Sequence, residues 1–113
     1  MKNNKAAVEY FKHFGEGNIK ELSEMYHDDI HLIDWNGEWK GKEEVLKMNK
    51  DLFDSNGVEV IVHEIEQPIF RESRVYCTIS ITITSDTEIV LKDIDIIDFD
   101  NKGKITRIEA FNG

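Results

Sequence analysis

Asp34 closes an alternating run, Ile30 to Asp34, in which Ile30, Leu32 and Asp34 share one strand face while His31 and Ile33 share the other. A carboxylate on an apolar face is costly unless it is paired or does chemistry, so Asp34 is the first candidate for moving a proton. Tyr10 belongs to the stripe Ala7, Tyr10, Phe11 and Phe14. Its hydroxyl is either a hydrogen-bonded core group or a donor aimed at a ligand. Asp93 and Asp95 alternate with Ile94 and Ile96. They line either a wet face or a cavity, depending on which side of the strand the apolar surface needs.

The other reactive side chains form no pattern. His13, His27, His31 and His63 show no metal-ligand spacing, because His27 and His31 straddle a helix end and a strand. His63, on a strand of the long meander, is the candidate for a His–Asp pair of the kind a dehydratase uses. Cys77 alternates with Val75 and Ile79 and reads as a small apolar core residue. No metal and no cofactor is expected.

Two periodicities set the elements that position these groups. The stripe of Tyr10 makes a first helix, ended by Gly15 and Gly17. Asn18 caps a second, with Glu21 three residues on and Ile19, Leu22 and Tyr26 on its buried side. Asp28-Asp29 is expected to stop it. Asn36-Gly37 is a hairpin signal, predicting a two-residue type I′ turn in which Trp35 faces Glu38 and Asp34 pairs with Trp39. Gly41 opens a third helix carrying Val45, Met48, Asn49, Leu52 and Phe53 on one face, and Lys40, Lys42, Glu43 and Glu44 form its solvated start. Asn56-Gly57 closes it. From there the period is two, predicting strands over 58–66, 74–84, 88–99 and 104–111, separated by polar turn clusters. Helices followed by a meander mean α+β, three helices on one face of a strongly curved, mostly antiparallel mixed sheet that encloses a pocket.

Size and charge narrow the partners. The 113 residues make one domain, residues 1–113, able to fold without disulfides. Fourteen basic against 23 acidic residues give a net charge of −9 with no basic cluster, which argues against nucleic acid and against an anionic membrane. No apolar run is long enough to span a membrane or to serve as a signal peptide, and the single cysteine leans toward a reducing compartment. A cytoplasmic location is expected.

The order helix, helix, short hairpin, helix, long meander resembles the nuclear transport factor 2-like superfamily over nearly the whole chain. Met25 to Asp34 is similar to the segment that carries the catalytic base in ketosteroid isomerases and polyketide-cyclase-like (SnoaL-like) proteins. The resemblance places that base on Asp34, the oxyanion-hole tyrosine on Tyr10 and the oxyanion-hole carboxylic acid on Asp95. It implies a pocket also lined by Tyr26, Trp39, Asn49 and Asp93. Asp34 to Gly41 is shorter than in the isomerases, with Trp35 where they have proline. Asn49 lies near the place of a supporting tyrosine.

The implied activity is proton transfer on a small apolar carbonyl compound, either double-bond isomerisation or a cyclase-type reaction. A base removes a carbon-bound proton, and two donors hold the developing oxyanion. The alternative is a non-catalytic ligand-binding or protein-interaction domain of the same fold. A homodimer through the sheet is expected. Val75, Cys77, Ile79, Ile81 and Ile83 form an apolar row for the helices, leaving Tyr76, Thr78, Ser80 and Thr82 to face a second copy.

Overall fold

The structure is a computed structural model that describes residues 2–68 and 71–112. Its elements run α1 (Lys2–Glu16), α2 (Ile19–Met25), β1 (Tyr26–Asp34), β2 (Gly37–Lys40), α3 (Lys42–Ser55), β3 (Gly57–Glu66), β4 (Arg74–Thr84), β5 (Glu88–Phe99) and β6 (Ile105–Asn112). The six strands lie in the order β2-β1-β6-β5-β4-β3. β1 pairs with β6 in parallel and every other pair is antiparallel. The sheet is therefore mixed, mostly antiparallel and open, with three helices on one face. Among the described residues, no helix is long and apolar enough to cross a membrane.

Local chemistry accounts for the boundaries. Gly17, at φ 66°, supplies the left-handed residue that ends α1. The Asn18 side chain then accepts from the Glu21 backbone N–H at 3.2 Å, leaving one fewer orphan donor at the start of α2. The β5–β6 turn is closed by Asp100 Oδ1, which accepts from the backbone of Lys102 and Lys104 at 2.9 Å each. Irregular register near Tyr26, His63 and Phe99 marks where the sheet bends.

Two sequence expectations give way. The second helix stops at Met25, before Asp28-Asp29, and Tyr26 is already extended. Tyr26 is buried in either conformation, so the apolar pattern does not locate the change. The hairpin turn also shifts. Asp34 pairs with Gly37 and Leu32 with Trp39, making Trp35 and Asn36 the central residues. Neither has positive φ, so the turn is not type I′. Asp34 Oδ1 decides this by accepting from the backbone N–H of Asn36 at 2.7 Å and of Gly37 at 3.2 Å.

The core lies between α1–α3 and the concave face of the sheet, where Leu22, Ile30, Val45, Val75, Ile97 and Ile105 are fully buried. Strand alternation sends Asp93, Asp95, Ile97 and Phe99 to this inner face and Ile94 to the outer one. On the outer face Arg74 and Asp98 sit opposite each other and form a bidentate pair at 2.7 and 2.9 Å.

Candidate active site

Above the core the helices and sheet leave a cavity of about 280 Å³. Small-molecule sites usually span roughly 300–1,000 Å³, so this one takes a small ligand. Tyr10 enters it from α1, Asp34 from the end of β1, and Asp93 and Asp95 from β5. Trp35 and Trp39 border it at the hairpin, Met48 and Leu52 come from α3, and the rest of the wall is largely aliphatic.

The sheet register explains how two distant acids come to face each other. Ile33 pairs with Glu109 in parallel, which sets Asp34 beside Ala110, and Ala110 pairs with Asp95. Asp34 and Asp95 thus stand two strands apart, roughly 10 Å between backbones. Ala110 lies between them and lines the cavity. Its small methyl group leaves the space between the two carboxyl groups open to the cavity.

The two acids live in different surroundings. Asp34 sits at the hairpin with Oδ1 tied to two backbone N–H groups, and Oδ2 has no hydrogen bond among the described residues. Asp95 is 6% exposed, and its Oδ1 is buried without a partner. Burial first, then the charges of Asp93 and Asp34, push its carboxyl up to about 8. Asp93 is pushed up to about 6 by burial and by Asp34. Cys77, opposite Asp95, is pushed up to about 12 by burial and by that acid. Tyr10 is held well above the ordinary phenol range, mainly by burial and then by Tyr26 and Asp95, so it remains a hydroxyl donor.

Tyr26 and Asn49, expected on the pocket wall, lie behind it. Tyr26 is 1% exposed and its hydroxyl donates to Asn49 Oδ1 at 2.7 Å. The Tyr26 ring backs Tyr10, with centroids 6.3 Å apart. This pairing explains a fully buried Asn49 on the apolar face of α3: it satisfies a phenol that burial would otherwise strand. Trp39 does line the cavity, but its strand partner is Leu32 rather than Asp34. Trp35, Asn36 and Ala110 are wall residues that periodicity did not single out; the shifted hairpin turn brings the first two there and the β1–β6–β5 register the third.

Among the described residues no histidine borders the cavity. His63 Nε2 lies 2.7 Å from Ser80 Oγ on an exposed surface, so no His–Asp pair forms with the three acids. His31 faces Glu38 across the hairpin, and His27 accepts from the Asp29 backbone. Among the described residues no three His, Cys, Asp or Glu side chains are grouped to hold a metal ion.

A family model described as a SnoaL-like domain matches residues 7–108. No curated protein sequence matches the chain. Among solved structures, an LEH-like epoxide hydrolase of M. tuberculosis superposes with a TM-score of 0.88 at 12% identity, covering 99% of this chain and 83% of that one. SalBIII, an epoxide hydrolase/cyclase-like enzyme of pyran ring formation in the polyether salinomycin, gives 0.84 at 17% identity, with 99% and 91% covered. A SnoaL-like polyketide cyclase from Jannaschia sp. CCS1 gives 0.84 at 15% identity, with 98% and 85% covered.

Proposed function

The chain belongs to the SnoaL-like domain family, and from that premise we propose that it is an enzyme that moves a proton on a small apolar carbonyl compound. A catalytic role is supported by the fold it shares with cyclases and epoxide hydrolases. The observation that carries the finer reading is the contrast between two carboxyl groups on one cavity. Asp34 is anchored at an open hairpin with one oxygen free, while Asp95 is buried and pushed up to about 8.

In this reading Asp34 takes a proton from the carbon next to the carbonyl. The C–H electron pair becomes the new C=C bond, and the carbonyl π electrons move onto oxygen. Tyr10 and protonated Asp95 donate hydrogen bonds to that enolate oxygen. Asp34 then returns the proton to a different carbon, which shifts a double bond. In a cyclase-type reaction the enolate carbon instead attacks a second carbonyl carbon of the same molecule, whose π electrons move onto its own oxygen, and that oxygen takes up the proton held by Asp34. The apolar walls exclude water, which strengthens both donors.

Proton NMR in D₂O tests the reading directly. With a panel of small cyclic ketones and β,γ-unsaturated ketones, catalysed deuterium uptake beside the carbonyl is expected. Ketones that bind the cavity yet exchange no faster than in buffer would leave a binding domain in place of an enzyme.

We also propose that the outer sheet face joins two copies. Ile94 and its strand partner Phe111 are 46% and 47% exposed, with Tyr76 also exposed on this face. Exposed apolar side chains on one face favour a two-fold partner of the same kind. Light scattering at micromolar concentration is expected to give a dimer, and a monomer would contradict this contact.

A further inference from the structure

Among the described residues three carboxyl groups line the cavity, and no lysine, arginine or histidine accompanies them. The partly buried acids of the outer face have cationic partners, as Asp98 has Arg74 and Glu109 has Arg107. Asp93 and Asp95 do not. They are 4% and 6% exposed, and Oδ1 of each is buried with no hydrogen-bond partner. Leaving one buried polar atom unpaired is already costly, and here two stand side by side on one strand. The proton-transfer scheme uses Asp34 and Asp95 and gives Asp93 no task.

The remaining wall supplies what a cation of a particular kind needs. The three acids are not grouped to hold a metal ion. Around them stand the rings of Tyr10, Phe11, Phe14, Trp35 and Trp39. Aromatic faces attract an organic cation, a carboxylate makes charge-assisted hydrogen bonds to it, and the aliphatic wall accepts its carbon frame. The net charge of −9 raises the local concentration of cations around the whole molecule.

We infer that the ligand of this cavity carries a cationic nitrogen, a protonated amine on a small apolar frame, and that Asp93 is the anchor for that nitrogen. The inference rests on the reading of the cavity as the ligand site, and it stands or falls separately from the proton-transfer step.

The groups facing Asp93 fix the expected pH dependence. Asp95 adjoins it on β5, Asp34 faces it from β1 and Tyr10 enters from α1. Its strand neighbours, Ile79 of β4 and Asn112 of β6, are neutral, as are Met48 and Leu52 of α3. No cation stands near it among these groups, and burial first, then the charge of Asp34, holds it at about 6. An ammonium group reverses that sign and favours the ionised carboxylate. Amine affinity therefore rises as pH climbs through about 6, and binding near that pH releases a proton.

Calorimetric titration with 2-phenylethylamine and its neutral counterpart 2-phenylethanol tests this on the wild type and on Asp93→Asn. At pH 7.5 the amine is expected to bind at least tenfold more tightly than the alcohol, an advantage that shrinks at pH 5. In Asp93→Asn the advantage disappears, while the alcohol still binds and so reports an intact pocket. The wild-type pH series gives a second readout that needs no variant. Equal affinities at pH 7.5, or an amine advantage that survives in Asp93→Asn, would overturn the inference. Alcohol binding without amine binding removes the cation alone, whereas failure of both probes removes the ligand site with it.

Discussion

Asp34→Asn is expected to lower kcat for proton exchange by about a thousandfold, within the roughly 10²–10⁴ that a positioned general base contributes. Affinity for a bound ketone should stay close to that of the wild type, because the amide fills the same space. Its side-chain oxygen can still accept from Asn36 and Gly37, so the hairpin is kept. Asp34→Ala removes both the base and this anchor, and its loss of affinity would separate positioning from chemistry. Exchange kinetics and ligand titration on the two variants make the comparison. An Asp34→Asn protein that turns over normally would assign the base elsewhere.

Asp95→Asn is expected to make the protein more stable near pH 8 and no more stable near pH 4. The folded carboxyl titrates at about 8 against an unfolded value near 3.8. A raised carboxyl favours the folded state while both states are protonated. That advantage is lost as pH climbs from about 4 to about 8, because the unfolded chain gives up its proton first. Each pH unit in the window is worth at most ~1.4 kcal/mol. Asparagine carries no proton to lose, so the variant should gain ~1–3 kcal/mol over the wild type at pH 8, allowing for an imperfect amide fit. Asp93, raised to about 6, adds a smaller decline in both proteins between about pH 4 and 6. Urea melts at pH 4.5, 6 and 8 measure the difference. A variant less stable than the wild type at pH 8, with the deficit vanishing at pH 4.5, would show that Asp95 is ionised.

What could be read from the sequence was whatever repeats with a short period. β4 and β5 occupy the predicted spans 74–84 and 88–99, because period-two alternation between polar clusters leaves little freedom of register. The same alternation put Asp34 on the face of Ile30 and Leu32, and all three are on that inner side. Single hydrogen bonds were not legible. Asn36-Gly37 favours one turn, but an aspartate two residues earlier captures the backbone N–H groups and moves the pairing by two residues. The Tyr26–Asn49 bond spans 23 positions and belongs to no periodicity, so both residues read as pocket wall rather than as its backing. The parallel β1–β6 pairing is likewise nonlocal, and it alone sets Asp34, Ala110 and Asp95 in one row.

The proposed site requires Asp95 to be a neutral acid beside a cavity that Asp34 also faces. Carboxyl ¹³C NMR of the folded wild type, with the Asp95 resonance assigned through Asp95→Asn, follows that proton directly. A midpoint near 8, with the acid still mostly protonated at pH 7, is the expected result. A midpoint at or below about 4, the ordinary aspartate range, would leave Asp95 charged and unable to donate, and would contradict the proposed site.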